Sequence, residues 1–181
     1  MEAQEHFFLF SYDTRLNPSI FWGIVGGFIF ATLVCVIILV FTKNLKAIWN
    51  LFLLDYVTVI LLITVVLRES IGSPIIKLNP LHAYKSYIEG DSFDEIGLNL
   101  VMFIPIGFLI SVVARKNKIT TSLLGGVGFS LLIEMLQYYL TKGVTDTGDV
   151  LNNTIGTIVG MMSYRAVKRL KMYLYSLLAN R

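Results

Sequence analysis

Residues 119–140 read ITTSLLGGVGFSLLIEMLQYYL. A run of this length and character suits a bilayer-spanning helix, which needs about 20 mostly apolar residues. Yet Glu134 sits among Leu131, Leu132, Ile133, Met135 and Leu136, and Gln137 follows one helical turn later. A charge at mid-membrane costs about 2.5–3.5 kcal/mol on insertion scales, so such a group faces a bundle interior or an aqueous cavity.

The rest of the chain agrees with a membrane setting. Of 181 residues, 55% are hydrophobic and 15% charged, where a soluble domain carries about 25% charged residues. The mean hydropathy is +0.71. Five apolar segments stand out, at 20–41, 48–67, 95–114, 119–140 and 149–166. The expected fold is therefore an all-α integral membrane protein, a bundle of about five transmembrane helices enclosing a polar cavity in the outer leaflet. Three segments follow: an N-terminal tail with two spans (1–67), a core of outer loop and three spans (68–166), and a basic amphipathic tail (167–181). Starting the second span after Asp55 would leave too few residues to cross, so Asp55 is placed inside the membrane, paired with Lys43 or Lys46.

Ten of the fifteen Lys and Arg residues fall at 42–47, 115–118 and the C-terminal tail. The positive-inside rule then puts the N-terminus outside and the C-terminus in the cytoplasm. The net charge of +3 is accordingly a topological signal rather than a nucleic-acid footprint. Cys35 is the single cysteine, which excludes an intramolecular disulfide and a thiolate cluster. The first nineteen residues lack the features of a cleaved leader. In the outer loop, Asn79-Pro80 marks a turn and LHAYKSYIEG suits a short surface helix. In the tail, Val167, Leu170, Leu174 and Leu177 share a face opposite Lys and Arg, as in an interfacial helix.

Polar residues cluster in the outer half of three consecutive spans. Ser92 and Glu95 have the spacing of a capping box, and Asn99 lies one turn beyond Glu95. Pro105 and Gly107 predict a kink. Glu134 lies six residues before Leu140, about 9 Å of helix. Asp149 and Asn153 are a turn apart, and Gly156 and Gly160 continue as GTIVG, a pattern that admits close helix approach. Asn99, Glu134, Gln137, Asp149 and Asn153, with Lys142, are the candidate binding residues; Glu134 and Asp149 are the candidates for acid–base catalysis. Arg68, Lys85 or Lys142 are expected partners for the Glu134 carboxylate. The plainer alternative is that the amides are interhelical glue, worth about 0.6 kcal/mol each.

Other motifs carry less. Asp146-Thr147-Gly148 spells the D-T-G of aspartic peptidases, but that chemistry needs two apposed carboxylates. GGVG at 125–128 lacks the Gly-Lys-Ser/Thr ending of a phosphate loop. His6 and His82 lack metal-ligand spacing, so no metal and no cofactor is expected.

At these residues the chain resembles the VanZ-like family of small bacterial membrane proteins. Asn99, Phe103, Pro105 and Gly107 fit N-x-x-x-F-x-P-x-G; Glu134 and Gln137 fit E-x-x-Q; Asp149, Asn153, Gly156 and Gly160 fit D-x-x-x-N-x-x-G-x-x-x-G. Asn79-Pro80 resembles an upstream element of the family. Lys142 stands where the family commonly has Arg, and Gly148-Asp149 where it often has an acidic pair. The resemblance implies a role at the cell envelope, linked to resistance to teicoplanin-type glycopeptides. Its expected ligand is a membrane lipid, a lipid-linked peptidoglycan precursor or the lipophilic antibiotic itself. An acid–base enzyme using Glu134 and Asp149, with or without a divalent cation, is one alternative. An ion-coupled transporter is another, and a helper binding a second copy or another membrane protein through GTIVG is a third.

Overall fold

The computed structural model describes residues 18–41, 43–81, 84–85 and 94–179. These form α1 (Pro18–Phe41), α2 (Leu45–Leu61) with a π-helical turn at Leu62–Val66, strand β1 (Ile75–Lys77), α3 (Asp94–Val113), α4 (Lys118–Tyr139), strand β2 (Val144–Asp146) and α5 (Thr147–Ala179). The all-α reading holds, with one short strand pair added. Three stretches, Leu45–Val66, Ile96–Val113 and Lys118–Tyr139, are long and apolar enough to cross a membrane.

Helix ends explain several boundaries. The Asn44 side chain accepts the Ala47 N–H at 3.1 Å, capping α2. This starts α2 three residues earlier than its hydropathy suggested and draws Lys46 into the first turn. Asp55 then lies nine residues along the helix from Lys46, about 13 Å and beyond the reach of an ion pair. Its Oδ2 is buried with no hydrogen-bond partner among the described residues, so the expected pairing with Lys43 or Lys46 is not formed through that oxygen. Between α3 and α4 the chain reverses through Asn117, which takes a left-handed φ of 45°. Lys118 Nζ then donates to the Ser111 carbonyl at 2.6 Å, satisfying an acceptor that the end of α3 leaves open.

The tightest packing joins α3 to α5, which run parallel. A Cβ on Gly156 would overlap the Leu100 carbonyl, one on Gly160 the Ile104 carbonyl, and one on Gly107 the Thr157 carbonyl. The Phe108 and Tyr164 rings continue the register, 5.9 Å apart and edge to face. Gly126 of α4 makes room for the Thr157 side chain, which is 1% exposed and donates to the Asn153 carbonyl at 2.9 Å. Thr157 is thus the pin at which α3, α4 and α5 meet. The GTIVG face is therefore filled by α3 of the same chain rather than left open to a second molecule. Beside it, Ile60, Val65, Phe103, Ile106 and Ile133 form an apolar core between α2, α3 and α4. The Tyr56 hydroxyl donates to the Met102 carbonyl at 3.0 Å. Ser111 donates back to Gly107 and lies 2.7 Å from the Ser122 hydroxyl. α3 stays helical through Pro105.

The long loop after α2 departs from expectation. Ile75, Ile76 and Lys77 pair in parallel with Val144, Thr145 and Asp146. Three-residue strands are too short to show an alternation, which is why hydropathy gave no sign of them. Of the expected loop helix, Tyr84 and Lys85 are helical; its remaining residues from His82, and Ser92 of the capping box, lie outside the described residues. The tail is no separate element, because α5 continues unbroken to Ala179.

Gly160→Ala is expected to lower the stability of the detergent-solubilised protein by about 1–3 kcal/mol, the usual cost of overpacking. Gly128→Ala meets nothing within 4 Å and should leave it unchanged. Equal thermal unfolding midpoints for the two would contradict the glycine contact.

Candidate functional site

The α4 helix brings Ser130, Glu134 and Gln137 onto one buried stripe, at 0, 6 and 2% exposure. Each is tied to a different segment. Ser130 Oγ accepts the Asn153 amide at 2.8 Å from α5. Glu134 Oε2 accepts the backbone N–H of Asp146 at 2.7 Å. Gln137 Nε2 donates to the Thr64 carbonyl at 3.0 Å. The last bond depends on the π-helical turn, where Leu67 N–H reaches back five residues to Leu62 and displaces the ordinary i→i+4 ladder. Lys142 closes the same helix end, its Nζ 2.7 Å from the Val66 carbonyl.

The residues entering α5 explain the D-T-G motif. Asp146 Oδ1 accepts the Gly148 N–H at 2.7 Å, so Asp146 is an N-cap, the role in which Asp is favoured. Asp149 is the acid of the first turn, where the helix dipole favours negative charge. The Asp146 side chain starts the helix while its backbone N–H holds Glu134. One residue thereby links the helix cap to the buried acid.

A strapped loop layer covers this end. Ile71 N–H donates to the Thr141 carbonyl at 2.8 Å, and Thr147 Oγ1 to the Lys77 carbonyl at 3.3 Å. Tyr84 donates its hydroxyl to Asn152 Oδ1 at 2.5 Å. The Arg68 guanidinium occupies the space that a Cβ on Gly143 would need. Gly143 has a φ of +86°, a conformation open to glycine. Arg68, Asp146 and Asp149 all lie within electrostatic range of Glu134.

The structure thus brings Glu134, Gln137 and Asn153 together, with Asp149 close by. The hydrogen-bond donor to Glu134 is a backbone amide; of the expected cations Arg68 lies within electrostatic range, while Lys142 is engaged with the Val66 carbonyl. Asn99 is half-buried on α3 and joins none of these hydrogen bonds. Of the side chains expected to line an open polar cavity, Glu134, Gln137 and Asn153 are buried, and Asn99, Lys142 and Asp149 half-buried. Two shallow apolar grooves lie elsewhere: about 400 Å³ between α1 and α2 beside Cys35 and Leu54, and about 370 Å³ along the α5 tail. Two buried acceptors of the set have no hydrogen-bond partner among the described residues, Gln137 Oε1 and Asn153 Oδ1. For Gln137 the assignment follows from chemistry, since only its nitrogen can donate to a carbonyl.

Residues 28–169 match the family model described as VanZ/LLP1. The chain belongs to the VanZ/LLP1 family. A stretch of 73 residues is 32% identical to Protein VanZ of Enterococcus faecium, covering 40% of this chain and 45% of that protein. No solved structure matches. The VanZ/LLP1 match takes in the whole of α2 to α4 and stops at Arg169, within α5.

Sequence reasoning missed four contributors: Ser130, Thr64 with its π-helical turn, Tyr84, and Asp146 as cap and amide donor. Ser130 had a signal, its position one turn before Glu134 on the same face. Thr64 and Tyr84 had none, because their partners are 73 and 68 residues away.

Asp146→Ala is expected to cost about 1 kcal/mol of stability through the lost cap, while Asp146→Asn, which caps as well, should be nearly neutral. Chemical unfolding of both variants in detergent tests this; equal losses would exclude the capping role.

Proposed function

We propose that this VanZ/LLP1 protein acts at the bacterial cell envelope by binding an amphiphilic ligand through Glu134, Gln137 and Asn153, with Asn99, Asp149 and Lys142 at the margin. The ligand class is an envelope lipid, a lipid-linked peptidoglycan precursor or a lipophilic glycopeptide, and the consequence is reduced sensitivity to teicoplanin-type antibiotics. The observation that carries this reading is the Gln137 amide oxygen, in a residue 2% exposed and without a hydrogen-bond partner among the described residues, one turn from a buried carboxylate. A buried acceptor left unpaired costs about 1–3 kcal/mol. A hydroxyl, amide N–H or ammonium group on a ligand would recover that cost, and such groups abound on sugars and peptides.

The topology goes with this reading. α1 and the first half of α5 cross the membrane beside the three apolar spans. The N-terminus lies outside and the C-terminus inside, as the distribution of Lys and Arg favours. The loop layer over Glu134 then faces the envelope, where these ligands are found.

Cells expressing Glu134→Gln or Asp149→Asn are expected to lose most of the protein's effect on teicoplanin susceptibility at unchanged membrane abundance. The purified variants should also lose binding to teicoplanin or to a lipid-linked precursor. Wild-type susceptibility and binding in both well-expressed variants would sink the proposal.

A further inference from the structure

The last half of α5 leaves the bundle. Tyr164 still packs against Phe108, and Lys118 Nζ lies 5.0 Å from its ring centroid. From Arg165 to Ala179 every residue is exposed. These 15 residues extend about 22 Å, carry Arg165, Lys168, Arg169 and Lys171, and include no acid.

Their pattern is directional. At about 100° per residue, Val167, Leu170, Tyr173, Leu174, Leu177 and Leu178 cover one side of the helix. Arg165, Lys168 and Ser176 lie on the other. Arg169 and Lys171 border the apolar side on its two edges, Lys171 Nζ being 5.7 Å from the Tyr175 ring centroid. The groove of about 370 Å³ runs along this side. Val167, Leu170, Leu174 and Leu177 are 48–58% exposed.

The apolar side continues the Gly156 and Gly160 face, the one that α3 covers inside the bundle. A second copy packed coaxially on it would need the column that α3 already fills. A two-heptad coiled coil is also marginal in length, and the apolar side is broader than such a seam requires. Basic residues at both edges of a wide apolar face instead match an anionic lipid surface, into which lysine and arginine stems can extend.

We propose that residues 165–179 are a docking surface for the anionic bilayer at the end of the bundle where α5 emerges. Leu170, Leu174 and Leu177 enter the interfacial zone, while Arg169 and Lys171 at its edges contact headgroup phosphates. Seating the segment requires α5 to bend where it exits. Ser163, whose hydroxyl donates to the Val159 carbonyl at 2.9 Å, supplies the kind of back-bond that bends helices.

The test uses the full chain in a Cys35→Ser background, Cys35 being exposed, with a spin label at Leu174→Cys or Ser176→Cys. In phosphatidylglycerol bilayers the Leu174 label is expected to collide with dissolved oxygen and be shielded from an aqueous nickel reagent, with the reverse at Ser176. In phosphatidylcholine the contrast should shrink. Each of Arg169→Gln and Lys171→Gln should lower the docked-to-free ratio about fivefold, from about 1 kcal/mol per surface cation. Labels equally open to water in both lipids would overturn the proposal. So would spin–spin broadening at Leu174 independent of lipid charge, the mark of a second copy.

Discussion

The contact between α3 and α5 is the constraint from which the rest of this structure follows. In a bilayer, lipid tails are as apolar as leucine, so helices associate through close packing rather than through expulsion of water. Gly107, Gly156 and Gly160 bring backbone against backbone, and Gly126 lets Thr157 enter from the third side. That fixes the parallel register of Leu100 on Gly156 and Ile104 on Gly160. With the register fixed, Asn153 sits at Ser130 and the start of α5 sits over Glu134. The polar bonds thus follow from a glycine contact in which the backbones of α3 and α5 meet directly.

The buried acid becomes intelligible in the same terms. Glu134 has a hydrogen bond from the amide of Asp146, and that amide is free to give it because β2 pairs on one side only. A carboxylate held by a backbone amide at a helix entrance is fixed by covalent geometry, not by a flexible lysine. Lys142, the residue with the right charge for the task, is instead committed to the end of α2. The ends of α2 and α4 are thereby joined, and the loop layer above them is held by Ser70, Ile71 and Thr147.

The membrane class, the ends of the first four helices to within three residues (α2 taken with its π-helical turn), and the buried position of Glu134 were legible in the sequence, because each leaves a local or periodic trace. Glu134 declares itself by standing among leucines, and Gly156 and Gly160 by their spacing. The family pattern divides in the structure into two kinds of residue. Phe103, Gly107, Gly156 and Gly160 serve packing, whereas Glu134, Gln137 and Asn153 form the buried polar set. What left no trace was non-local. The strand pair is three residues long, the π-helical turn has an unremarkable sequence of Leu, Ile, Thr and Val, and the partner of Tyr84 lies in another helix. The D-T-G motif shows the converse: its chemistry was local, a helix cap, and it was the enzymatic association that distracted from it.

The unpaired atoms of the polar set bear on the choice between glue and site. Had the amides served only to hold helices together, packing would be expected to satisfy both ends of each side chain, since an unpaired buried acceptor weakens the contact it sits in. Ser130 and Ser111 meet that expectation through their hydroxyl bonds. Gln137 does not: one end is fixed to Thr64 while its oxygen has no donor among the described residues. Asn153 is similarly half-satisfied. The anchored half of each amide sets its orientation, Gln137 on Thr64 and Asn153 on Ser130. An arrangement anchored at one end and open at the other suits the proposed binding set better than it suits pure adhesion.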